Sequence, residues 1–201
     1  MNEEKVIEVY HGTTKKYAKK IFREQKFIAG KDEDNEDFLG KGIYFFKNNE
    51  HAVLWNLKKA NDCGKKNLQY KDYILYYSVI SAKICIERKN ILDLEDIKDL
   101  VKYDKICKRF KKEFEDDLEY ITAVHKERAI INYFYKKRYM ENIFVIRKIL
   151  GQKNNTVDLN VGEYLQREVI CVKNDKIIQD IEIMADIEAN TYNTIKYISF
   201  C

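Results

Sequence analysis

The chain contains no proline, and none of its five cysteines (Cys63, Cys85, Cys107, Cys171, Cys201) stands in a C-x-x-C pair or near a histidine in ligand register. That spacing argues against a disulfide framework and gives no zinc signature, so no metal is expected. The lack of proline beside abundant Lys, Asn and Ile fits an AT-rich genome and carries no information on the fold. Also missing is any hydrophobic run near the roughly 20 residues that cross a bilayer. The first residues, "MNEEKV", hold neither a charged n-region nor an apolar h-region. The expectation is a cytoplasmic protein with no membrane partner, with export by a leaderless route as the alternative. No internal repeat, linker or low-complexity tract interrupts the sequence.

What is present suffices for one core. A hydrophobic content of 45 % in 201 residues, with 13 % aromatics, supports a single domain over residues 1–201. The 37 basic and 33 acidic residues alternate in blocks and leave a net charge of +4. Such a balance is compatible with a nucleic-acid partner without requiring one.

Residues 5 to 10, "KVIEVY", alternate with the period of a strand, and "GTT" ends it with Thr13 or Thr14 as a helix N-cap. Tyr17, Ala18, Ile21 and Phe22 then recur at helical spacing, which predicts a helix of about three turns with those residues facing the core. The loop "AGKDEDNEDFLGKG" carries five acids between Asp32 and Asp37 and leads into "GIYFF", read as a buried strand. Asn48 or Asn49 caps a second helix that Cys63 and Gly64 close. Residues 72 to 86 are rich in aromatic and β-branched side chains, which predicts one long strand with a bulge near Ser78 to Ser81. Residues 95 to about 140 read as a charged helical insertion. Strand signals return at "NIFVIRKIL", "REVICVKN", "KIIQDIEIM" and the terminal "TIKYISF". The fold class is α+β: strands and helices, a helical middle, then strands.

Three polar positions stand out from this frame. His11 follows an apolar strand beside Gly12, Tyr44 sits inside a short apolar run, and Glu168 opens a strand. Each alone reads first as structural: a satisfied histidine, a core aromatic and a solvated acid.

Together, "YHGTTKKYAKKI" (10 to 21), "GKGIYFF" (40 to 46) with "HAVLW" behind it, and "LQREVICVKND" (165 to 175) resemble the ordered motifs of the ADP-ribosyltransferase superfamily, in its diphtheria-toxin and poly(ADP-ribose)-polymerase branch. That branch carries His, Tyr and Glu on three separated strands. The resemblance covers roughly residues 5 to 62 and 164 to 184. It implies a split β-sheet core, NAD as substrate, and transfer of ADP-ribose with loss of nicotinamide. A member of this kind would act as a toxin or phage-defence effector, with an antitoxin protein as a further partner.

The resemblance implies roles for the residues as well. Positive charge develops on the ribose as nicotinamide leaves, so Glu168 would hold the 2′-hydroxyl and stabilise that charge. His11 would fix a ribose hydroxyl, and Gly12, with Thr13 beside it and Gly42 opposite, would admit the carboxamide. Tyr44 would stack on the pyridinium, with Trp55 either a second wall or a packing residue. Lys15, Lys16, Arg23 and Lys41 are candidates for the phosphates, the acidic loop then pointing outward. Where some relatives place a serine before the alanine of the second helix, His51 precedes Ala52, so that contact is absent or replaced. Gln166 would take part in acceptor selection, as in the sister branch, or stand as an exposed polar strand start.

For the acceptor, "KICKRFKK" (105 to 112) and "INYFYKKRY" (131 to 139) mix cations with rings, as single-stranded nucleic acid requires. The competing reading pairs Arg109 with Glu113, Lys111 with Glu115 and Lys112 with Asp116 along a solvated helix. RNA or DNA, and protein, therefore both remain acceptors. An NAD glycohydrolase and a catalytically silent binding module are the alternatives to a transferase.

Overall fold

A computed structural model describes residues 4–27, 38–65, 68–114, 123–150 and 167–200. The acidic stretch 32–37 and Gln166 lie outside the described residues. The architecture is α+β. The elements run β1 (Glu4–Thr14), α1 (Lys15–Glu24), β2 (Ile43–Phe46), α2 (Asn49–Asp62), α3 (Tyr70–Tyr76), β3 (Tyr77–Glu87) and β4 (Ile91–Asp93). They continue with α4 (Ile97–Glu113), α5 (Ala123–Lys136), β5 (Val145–Leu150), β6 (Arg167–Val172), β7 (Ile178–Ile183) and α6 (Ala189–Phe200). The seven strands form one mixed sheet in the order β4-β5-β6-β2-β1-β3-β7.

Strand periodicity sorts the core into two faces. Val9, Phe45, Ile80, Ile84, Ile170 and Val172 share one face, with Ala18 of α1 and Phe27 packed onto them. The opposite face carries α2 and α6 around Phe46, Leu57 and Tyr192. It also carries α4 and α5 around Phe110, Phe134, Ile146 and Cys171. The helical insertion is therefore a layer on the sheet, sealed by its own aromatics. Buried Asp99, only 2 % exposed, pins α4 by pairing with Arg88 and Lys102 at 2.8 Å each and accepting from Asp93 N. Those partners hold its carboxyl below the ordinary range against the opposing effect of burial.

Several local expectations hold. Thr14 caps α1 by accepting from Tyr17 N; α2 begins after Asn48, which holds the N-cap position without a side-chain cap bond, and closes at Cys63, with Gly64 at φ +79°. Others need correction. In α1, Ala18 is buried and Ile21 packs on the core, but Tyr17 is 60 % exposed and Phe22 is also exposed. Residues 72–76 belong to α3 where a strand over 72–86 is expected. Tyr70, Tyr73 and Tyr77 stand three and four apart, and that spacing lets the Tyr73 and Tyr77 rings stack at 5.8 Å while Tyr70 and Tyr73 both pack on Tyr192. The irregularity in β3 falls between Ser81 and Lys83, opposite β7. The terminal "TIKYISF" belongs to α6 and not to a strand, because Tyr192 and Ile195, three apart, enter the core and Tyr192 Oη donates to Leu68 O at 2.7 Å.

One glycine is forced by packing. A Cβ on Gly12 would sit 2.2 Å from the backbone oxygen of Ala52 and 2.9 Å from Asn56 Oδ1. Gly12→Ala must therefore push α2 off β1, and urea unfolding should show a loss of about 1–3 kcal/mol. An unchanged midpoint would mean that the helix is not seated on this glycine.

Candidate functional site: a split in the sheet

β1 runs against β3 along its whole length, from Glu4↔Glu87 to Thr14↔Tyr77. Its register with β2 contains the one pair Tyr10↔Phe46, whereas β2 lies against β6 from Ile43↔Val172 to Phe46↔Val169. The sheet thus divides just past Tyr10, with β1 leaving on one side and β2 with β6 on the other. The three motif-bearing strands, β1, β2 and β6, lie side by side around this division.

His11 occupies the point of divergence. Its Nδ1 is 2.8 Å from Tyr44 O; a carbonyl only accepts, so Nδ1 carries the proton and the neutral ring keeps a lone pair on Nε2. The imidazole supplies Tyr44 O with a donor where β1 has stopped pairing. Its ring meets Phe27 and Phe45 edge-on at 5.4 and 5.8 Å. This burial pushes the imidazole below its ordinary pKa, and the bond to Tyr44 O opposes the shift.

Glu168 opens β6, two strands from β1, on the same face as His11. Lys47 N donates to its backbone oxygen at 3.1 Å. By strand geometry the backbones of His11 and Glu168 stand about 12 Å apart. Its carboxylate leans away from β2 toward β5 and accepts from Arg147 Nε at 2.7 Å, while Arg147 Nη1 donates to Asp93 Oδ2, also at 2.7 Å. One guanidinium so joins two carboxylates from three adjacent strands, and both pairs raise its pKa. This chain borders a cavity of about 310 Å³ with Ile7 and Ile170 in its floor and Lys5 and Lys47 on its rim. That volume lies at the low end for ligand sites, about 300–1,000 Å³.

Neither His11 nor Tyr44 lines this cavity, and Tyr44 leaves the face altogether. Its side chain points to the other face, where the ring tilts against Phe38 at 5.5 Å. Its Oη donates to Gly40 O at 2.7 Å and accepts from Leu39 N at 2.9 Å. The expected stacking platform is, in this structure, a clamp on the turn that leads into β2. The opening left by Gly12 is filled by Ala52 O, and Gly42 is required by Cys171, whose Sγ would lie 2.4 Å from an added Cβ. Thr13 stands in β1 opposite Ser78.

The remaining candidates take structural positions. Trp55 adopts the packing alternative, 6.0 Å from Phe46, with Lys58 and Lys59 ammonium groups 5.1 and 5.2 Å from its centroid. His51 is buried beside Phe46. Lys15 pairs with Asp186 and Arg23 with Glu24, while Lys16 and Lys41 are exposed. Among the described residues no group of His, Cys, Asp and Glu could hold a metal, and no helix is long and apolar enough to cross a membrane.

Arg147 and Asp93 were missed in the sequence. The available signal was a cation within the apolar strand "FVIRKIL", two positions from Val145, on a face that should have been apolar.

No family model and no solved structure matches the chain. It is similar to an uncharacterized protein of Methanocaldococcus jannaschii, 29 % identical over 194 aligned positions that span 87 % of this chain and 85 % of that protein.

Tyr44→Phe separates the two roles of this residue. It keeps the ring but strands Leu39 N and Gly40 O, so chemical unfolding should show a loss of about 1–3 kcal/mol. Unaltered stability would remove the clamp.

Proposed function

We propose that the chain cleaves NAD at the bond between nicotinamide and ribose and transfers ADP-ribose to a macromolecule, on an ADP-ribosyltransferase-like split sheet. The observation that carries this reading is the division of the sheet at His11, with the strand bearing Glu168 on the far side of β2 and its carboxylate on the same face. In the reaction, the C1′–N bond breaks with its electron pair going to the pyridinium nitrogen, and neutral nicotinamide leaves. The acceptor's nucleophilic atom then bonds to C1′ and loses its proton. His11 Nε2 is available to accept from a ribose hydroxyl. Glu168 supplies negative charge near the sugar, and Arg147 is the partner that holds it in place. For Glu168 to meet the sugar, its carboxylate swings from Arg147 toward β2, leaving Arg147 on Asp93.

The same chemistry with water as acceptor is NAD hydrolysis. A silent binding module is favoured by a different observation: Glu168 is already paired, and Tyr44 and Gly12 are spent on packing. NAD labelled in its adenylate half, incubated with separate pools of RNA, DNA and protein, tells these apart. Label on a polymer is the expected result; free ADP-ribose alone indicates hydrolysis, and intact NAD the silent module. Glu168→Gln should lower turnover about 10²–10³-fold with little change in NAD affinity. A folded variant with undiminished NAD consumption rules out the assignment.

A further inference from the structure

Two basic runs that lie far apart in sequence meet at one end of the helical layer. The Phe110 and Phe114 rings of α4 are 5.4 and 5.1 Å from Tyr133 of α5. Lys137 Nζ sits 5.6 Å over that same Tyr133 ring, and Phe134 is 5.6 Å from Tyr139. Lys137 thereby stands against the aromatic seam that joins α4 to α5, and the other cations of 105–112 and 136–138 belong to the C-terminal parts of the same two helices and the turn after α5. Lys108 is paired with Asp104 at 2.6 Å. Among the described residues, Arg109, Lys112, Lys136 and Arg138 are exposed and make no ion pair.

Of the three helical pairs of the competing reading, Arg109 with Glu113 is not made, and the Glu113 carboxylate accepts from Tyr133 Oη instead; Glu115 and Asp116 lie outside the described residues. Tyr139, which follows Lys136, Lys137 and Arg138 along the chain, is 63 % exposed, with its ring tilted on Phe134. Charge alone would suit any polyanion. A bare phenol face among guanidinium and ammonium groups suits phosphates strung between unpaired bases. The surface also adjoins the turn into β2: Asn132 Oδ1 of α5 accepts from Lys41 N at 3.0 Å, and Lys173 Nζ lies 5.2 Å from the Tyr135 ring.

We infer that the α4–α5 face, through Arg109, Lys112, Lys136, Arg138 and Tyr139, binds a single-stranded nucleic acid. This binding does not rest on the transferase reading.

The test is fluorescence anisotropy with labelled oligo(U) and oligo(dT) of about 20 nucleotides, and a duplex of equal length, without NAD. Four phosphate contacts give a slope of log affinity on log salt of roughly −3, at about 0.7 per phosphate. Arg109→Glu with Lys112→Glu should weaken binding at least tenfold and flatten that slope by about 1.4. Tyr139→Ala should weaken it about tenfold with the slope unchanged. All three positions are exposed, so circular dichroism should match the parent, as should NAD consumption without acceptor.

The inference is overturned by no binding at about 50 mM salt, by duplex bound as tightly as single strand, or by variants that bind like the parent. It is also overturned if polyglutamate of equal charge displaces the probe as well as unlabelled oligonucleotide does, which would assign the face to an acidic protein. Binding by a protein that leaves NAD intact would fail the transferase reading alone; turnover of NAD by a protein that ignores oligonucleotides would fail this one alone.

Discussion

The structure depends on how β1 is shared between its neighbours. From His11 onward β1 stays with β3 and gives up β2, while β2 is carried off by β6. Backbone groups facing such a split lose their ladder partners, and an unmet carbonyl is costly unless a side chain replaces the missing donor. His11 does so for Tyr44 O. The same act fixes its tautomer, turns Nε2 into the free acceptor, and ties the first motif to the second through main chain instead of through the Tyr44 ring.

Electrostatics on that face are organised by Arg147. It stands between Asp93 and Glu168 and belongs to the strand between theirs. A partly exposed ion triad of this kind adds little net stability. Its larger consequence is for Glu168, whose carboxylate it holds beside a cavity. On the other face Tyr133 ties α5 to α4 by donating to the Glu113 carboxylate.

Much of this frame was legible in the sequence. β1, β2 and β6 follow from alternation and from the Gly and Thr residues that bound them, and α1 and α2 from Thr14 and Asn48 before helical spacing. The segment 70–76 misled because tyrosine is a strand former by propensity, whereas here its spacing of three and four, read against Tyr192, decides for helix. α6 misled for a related reason: Tyr192 and Ile195 look like strand residues until a helix surface is available to receive them. The pairing Asp93–Arg147–Glu168 joins residues 54 and 21 positions apart, and no linear pattern encodes such a meeting. Which face Tyr44 takes was settled by the pleat of a four-residue strand, where a shift of one position exchanges core for cleft.

The central claim is that the imidazole at the split is a neutral, Nδ1-protonated acceptor poised for a ribose hydroxyl. Nitrogen-15 NMR of the His11 ring, titrated with pH and then with NAD, tests it directly. The account predicts the Nδ1–H form at neutral pH, protonation only below the ordinary imidazole pKa of about 6.5, and a shift of Nε2 on adding NAD. A ring carrying its proton on Nε2, or one that titrates normally and ignores NAD, would contradict it.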